Sequence, residues 1–127
     1  MESDTYYSYD TFKRACPSHT VLETLANKWL YLVMAALKPG KRRYSDLQRK
    51  LEGVSPKMLT QTLRVLERDG MIRRKVFPVV PPHVEYELTP LGYQLAGLLD
   101  HLRIWAETHV PEIIKSRETF QTQAETG

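Results

Sequence analysis

Ser55-Pro56-Lys57-Met58-Leu59-Thr60-Gln61-Thr62-Leu63-Arg64-Val65-Leu66-Glu67-Arg68-Asp69-Gly70 carries both a core stripe and start and stop signals for one helix. Serine before a helix accepts a hydrogen bond from its free N–H groups, and proline has φ preset for the first helical position. Glycine suits the left-handed position just past a helix end. A helix is therefore expected from Pro56 to about Asp69. With Leu59 at 0° and about 100° per residue, Leu63 falls near 40° and Leu66 near 340°, flanked by Met58 and Val65. Lys57, Thr60, Gln61, Arg64 and Arg68 fall between roughly 100° and 200°, an arc that contains no acid. One face is a core stripe; the other is long, cationic or hydrogen-bonding. The major groove admits one α-helix, where arginine and glutamine pair bidentately with guanine and adenine edges. Ser55 and the free N–H groups beside it suit a phosphate.

Upstream, Ser45 caps a brief expected helix from about Asp46 to Leu51, after a short strand at Arg42, Arg43 and Tyr44. A turn at Gly53-Val54-Ser55 joins that helix to the next. Before it, Lys28 to Leu37 is apolar nearly all round and belongs in the core, ending at Lys38-Pro39-Gly40. Cys16-Pro17 opens a first helix through about Ala26.

Downstream, strands are expected at about Met71–Phe77 and Val84–Leu88, the second alternating Val84, Tyr86 and Leu88 with Glu85 and Glu87. Pro78, Pro81 and Pro82 stiffen the loop between them. Thr89-Pro90 starts a long last helix, expected to reach His109 and stop before Pro111. Two helices joined by a turn and followed by a hairpin describe a winged helix-turn-helix. The fold class is α+β, mostly α, with a two-stranded wing and a long C-terminal dimerisation helix. Residues 1–14 are expected as a flexible arm, 15–110 as the domain and 111–127 as a tail. Tyr6, Tyr7, Tyr9 and Phe12 make the arm unusually aromatic.

The formal net charge is +3. Between Lys38 and Lys75 twelve basic residues face four acids, so that window carries +8 and the remainder −5. A basic middle between acidic flanks is the footprint of a docked polyanion. No apolar run approaches a membrane span and the start is polar and acidic, so the chain is expected in the cytoplasm, on the nucleoid. Cys16 is the one cysteine. A disulfide within the chain and a Cys-rich zinc site are therefore excluded. No nucleophile–histidine order, phosphate loop or carboxylate pair points to an enzyme, and no cofactor is expected. His19, His83, His101 and His109 lack the i, i+4 spacing of a helical metal site.

In the last helix Leu91, Leu95, Leu98, Leu102, Trp105 and His109 repeat at spacings of 4, 3, 4, 3 and 4, a heptad rhythm. A homodimer seam is expected there, matching a palindromic operator with half-sites about one helical turn apart. Lys13, Arg14 and the helix start at Pro17 are expected to depress the Cys16 pKa, with His19 within reach. The alternative is Cys16 as a small buried hydrophobe.

Several pieces read together. Cys16-Pro17, Asn27-Lys28-Trp29, Ser55 to Thr60, Leu66 to Gly70, Pro81 to Tyr86 and Leu88-Thr89-Pro90-Leu91-Gly92, in this order and spacing, resemble the HxlR (DUF24) family of winged-helix regulators. The resemblance spans about residues 15 to 109. It implies a dimer through the terminal helices, double-stranded DNA as partner, and a wing from Phe77 to Val84 lying on backbone or minor groove. It also implies that Cys16 senses oxidants or electrophiles, as several members do at this position. Ala26-Asn27 stands where the family usually has glycines, and His83 where many members have arginine. Arg73, Arg74 and Lys75 at the wing's base are then candidates for phosphate contacts, and Arg43 is another DNA contact expected from the basic window. The function expected is a homodimeric repressor. The alternative is a regulator controlled by a non-covalent small molecule between core and dimer helix, near Trp29, Tyr31 or Trp105.

Overall fold

Asn27 decides where the core begins. Its side-chain oxygen accepts from the N–H groups of Trp29 (2.8 Å) and Leu30 (3.4 Å), capping the helix that runs Lys28–Leu37. The computed structural model describes residues 8–126. In chain order the elements are α1 (Pro17–Leu25), α2 (Lys28–Leu37), β1 (Arg42–Arg43), α3 (Tyr44–Lys50), α4 (Pro56–Arg68), β2 (Ile72–Phe77), β3 (His83–Leu88) and α5 (Pro90–Thr126). α3 and α4 are the helix-turn-helix pair; β2 and β3 are the wing.

The wing has a third strand. β1 pairs antiparallel with β3, placing Arg42 opposite Tyr86, so the sheet runs β1-β3-β2. The short strand at Arg42 is legible in the sequence; its partner, more than forty positions away, is not. α3 also starts earlier than Ser45 predicts. Arg43 is its N-cap, and Asp46 accepts the Arg43 backbone N–H at 3.2 Å.

One core cluster holds these elements together. Leu30, Val33, Met34 and Leu37 of α2 meet Leu47 of α3, Leu59, Leu63 and Leu66 of α4, Ile72, Tyr86 and Leu88 of the sheet, and Ala96 of α5. α1 stands apart. None of its nine residues is buried, and Leu25 in its last turn packs against the core. Residues 10–16 are turns closed by Lys13 N–H to Asp10 O and Cys16 N–H to Lys13 O, both 3.0 Å. Tyr6 and Tyr7 lie outside the described residues.

The main departure from expectation is the last helix. It does not stop before Pro111 but continues to Thr126, 37 residues in all, roughly 55 Å at 1.5 Å per residue. Proline removes one helical N–H, and here no glycine follows it to end the helix. At Pro39-Gly40, where glycine does follow, α2 ends as expected.

The start of α5 is fixed by one threonine. Thr89 N–H donates to Met71 O (3.0 Å), its hydroxyl donates to Gly70 O (2.6 Å), and the same hydroxyl accepts from Gly92 N–H (3.0 Å). Gly70 itself has φ +77°, the left-handed value that ends α4. This brings α5 so close to Met71 that a Cβ on Gly92 would strike the Met71 carbonyl, whereas one on Gly97 meets nothing within 4 Å. Gly92→Ala is therefore expected to cost about 1–3 kcal/mol by overpacking, and Gly97→Ala to gain up to about 1 kcal/mol of helix propensity. Urea unfolding midpoints of the two variants check the contrast; equal midpoints would contradict it.

Candidate nucleic-acid interface

α4 buries one stripe and leaves the opposite one open, as its sequence requires. Ser55 Oγ accepts from Met58 N–H at 3.1 Å, with Pro56 at the first position. Leu59, Leu63 and Leu66 are 0–2 % exposed. Pro56, Lys57, Thr60, Gln61 and Arg64 line one shallow depression on the outer side. Lys57 and Arg64 have no carboxylate partner among the described residues, and seven residues of rise set them roughly 10 Å apart. That length fits the floor of a major groove about 12 Å wide.

Tyr44 positions this face, a role its sequence context does not signal. Its hydroxyl lies 3.3 Å from Pro56 O and 3.2 Å from Thr60 Oγ1, tying the start of α3 to the first turn of α4. Arg68 differs from its neighbours. It forks onto Asp69 at 2.8 and 3.2 Å, and this hydrogen bonding pushes the guanidinium pKa further up. It borders a cleft shared with Glu23 and Thr24 of α1. The open cationic surface is thus the first two turns of α4.

Around the wing most cations are engaged. Arg73 sits 3.6 Å from Glu87 and Arg74 3.5 Å from Glu67. Arg42 donates to Ala36 O at 2.7 Å, closing the end of α2, while Arg43 is exposed. His83 stacks on Phe77 (centroids 4.7 Å) and its Nε2 meets Glu85 at 3.2 Å. The histidine is therefore held on the last strand pair before the tip loop. The tip offers Val79 and Val80 to solvent, Val80 almost fully.

Cys16 occupies the N-cap of α1 and is half-buried. Its sulfur lies 3.2 Å from Ser18 Oγ and accepts from Asp10 N–H at 3.1 Å. The Ser18 hydroxyl is the main cause holding the thiol pKa below its ordinary value, with backbone N–H groups of Ser18, Asp10 and His19 adding to it. Lys13 and Arg14, expected to do this, are exposed and not among the causes. The His19 ring is engaged elsewhere, its Nδ1 at 2.7 Å from Thr11 O.

On α5, Leu91, Leu98, Leu102 and Trp105 are 49–66 % exposed, whereas Leu95 packs against the core. Trp105 stacks on His109 (4.6 Å). An open cleft of about 810 Å³ lies between α2, the end of α3 and α5, floored by Leu32, Ala35, Ala36 and Leu51 and rimmed by Lys38, Lys50, Glu52, Asp100 and Arg103. Trp29, Tyr31 and Trp105, the aromatics expected near such a pocket, do not line it. Lys38 and Asp100 form an ion pair across it. Among the described residues there is no group of three metal-ligating side chains, and no helix is long and apolar enough to cross a membrane.

Comparison with known proteins bears on the family and the fold. The model of the HxlR-like helix-turn-helix family matches residues 24–114. The chain belongs to the HxlR-like helix-turn-helix family. It is 48 % identical over 107 residues to the HTH-type transcriptional regulator YtfH of Escherichia coli (strain K12), covering 84 % of this chain and 85 % of that one. The solved structure of the transcriptional regulator ytfH from Salmonella typhimurium superposes with a TM-score of 0.83 at 46 % identity, covering 87 % of this chain and 99 % of that one. The redox regulator HypR in its oxidised form superposes with a TM-score of 0.67 at 34 % identity, covering 73 % and 96 %.

The family match stops at residue 114, so the last twelve helical residues of α5 lie beyond it. Cys16 lies before its start. The thiol environment yields a direct expectation. The alkylation rate of Cys16 by iodoacetamide should rise with pH to a midpoint below that of free cysteine, and Ser18→Ala should move that midpoint up. A midpoint that Ser18→Ala leaves in place would remove the serine as the cause.

Proposed function

We propose that this HxlR-like chain is a sequence-specific transcription repressor that binds a palindromic DNA duplex as a homodimer, without enzymatic activity, metal or cofactor, in the cytoplasm and on the nucleoid. The observation that carries the reading is the open face of α4. A stripe 0–2 % exposed fixes the helix's rotation, and Lys57, Thr60, Gln61 and Arg64 then stand together outside it, unopposed by acid. Gln61 and Arg64 suit base edges; Lys57, Thr60 and Ser55 at the helix start suit phosphates. Arg43 and the wing residues Arg73, Arg74 and His83 flank this face as backbone contacts, with Arg68 at its far end.

The homodimer is supported by surface that a lone chain leaves wet. Leu98, Leu102 and Trp105 are each more than half exposed on one helix, and α1 likewise has no buried residue. Two-fold pairing through these elements would set two reading helices about one helical turn apart. Cys16 is the proposed control point for oxidants or electrophiles, since its pKa is lowered where α1 begins, and the redox regulator HypR shares the fold. The second reading, a non-covalent small-molecule effector with Cys16 structural, is favoured by the cleft of about 810 Å³ between α2 and α5.

These assignments give three expectations. After selection of the preferred duplex, Gln61→Ala or Arg64→Ala should relax discrimination at one base pair by about 1–3 kcal/mol. Arg43→Ala should weaken all sequences alike and lower the salt slope by about one. Binding isotherms on matched and mismatched duplexes check both, and unchanged isotherms for all three variants would refute the assigned face. Leu98→Glu combined with Leu102→Glu should sediment as a monomer and lose tight duplex binding. A dimeric double variant would place the seam elsewhere.

A further inference from the structure

The charge count of the basic window hides a spatial fact. The acids that oppose its cations lie partly outside it in sequence, and β3 folds two of them back. Arg73 and Glu87 are directly opposed partners across β2 and β3, their charged atoms 3.6 Å apart. Glu85, on the same face two residues along, takes Lys41 at 4.0 Å and His83 at 3.2 Å on its two oxygens. On the other face, Arg74 lies 3.5 Å from Glu67 of α4. Lys57 and Arg64 on α4 have no such neighbour among the described residues.

Exposed opposite-charge pairs of this kind contribute little to stability, since water and salt screen them. The Arg73–Glu87 pair is about half exposed on both sides and belongs to that class. Beside a surface that takes a polyanion, however, each carboxylate has a second effect. A phosphate approaching Arg73, Arg74 or Lys41 must displace or repel a carboxylate already there, whereas one approaching Lys57 meets no competitor. The arrangement weakens contacts that carry no sequence information and leaves the base-reading helix untouched.

We propose that Glu67, Glu85 and Glu87 act as affinity-limiting residues, holding the wing cations Arg74, Lys41 and Arg73 so that sequence-independent binding to the duplex backbone is kept low. The inference rests on the DNA-binding reading above and adds to it which residues set non-specific affinity.

The test is fluorescence anisotropy of a labelled mixed-sequence duplex, titrated over a sodium chloride series, which needs no knowledge of the operator. Glu67→Gln, Glu85→Gln and Glu87→Gln are each expected to tighten binding by roughly two- to five-fold at low salt, the scale of an exposed ion pair. The triple variant should show a steeper salt slope, by about one for each further phosphate that the released cations neutralise. Glu118→Gln, the same charge change on distal α5, should shift affinity little. The Glu87→Gln gain should vanish in an Arg73→Gln background, which separates release of a partner from a change in overall charge. Unchanged affinity in the glutamine variants, a gain matched by Glu118→Gln, or a Glu87→Gln gain that survives without Arg73 would each overturn the inference while leaving DNA binding intact. Failure of the wild-type chain and of every variant to bind duplex at low salt would overturn the DNA-binding reading itself, and this inference with it.

Discussion

Leu59, Leu63 and Leu66 enter the core that α2 builds from Leu30, Val33, Met34 and Leu37, and the rest of the site depends on that contact. Burying a leucine contributes roughly 1.5–3 kcal/mol, so three on one stripe outweigh any preference of the polar face for a different orientation. Rotating α4 by one residue, about 100°, would bring Thr60 or Arg64 toward the core and expose a leucine. Packing therefore determines which side chains stand outside. Lys57, Gln61 and Arg64 are presented because leucines elsewhere on the same helix cannot be.

Much of this is legible in the sequence, wherever one local signal decides the outcome. Ser55-Pro56 marks the start of α4 and Gly70 its end, and the leucine period gives its buried stripe. The apolar run at Lys28–Leu37 and the alternation in β3 are equally clear. What stays hidden depends on partners distant in the chain. Arg42 reads as strand, but its pairing with Tyr86 comes from the fold. Tyr44 also reads as strand, yet it starts α3 and braces Thr60. Pro111 reads as a stop, and fails as one because nothing else there favours an end.

The electrostatics show the same limit more sharply. Counting charges between Lys38 and Lys75 gives a basic patch, but Glu85 and Glu87 fall outside that window and come back beside Arg73 and Lys41. Arg68, on the same helical arc as Arg64, is held by Asp69 one residue on. His83 stacks on Phe77 instead of standing free. Cys16 takes its lowered pKa from Ser18, two residues after it, and not from the cations before it. In each case the residue type is evident and its partner is not, because a count along the chain says nothing of which charges meet.

On the proposed reading, the exposed face of α4 lies in a major groove. The most direct measurement is chemical footprinting on duplexes enriched by the protein from a random-sequence pool, probing guanine N7 in the major groove and adenine N3 in the minor groove with dimethyl sulfate. Enrichment of a palindrome is expected, with guanine N7 protected in two patches about one helical turn apart. Failure to enrich any sequence, or protection confined to adenine N3, would contradict it.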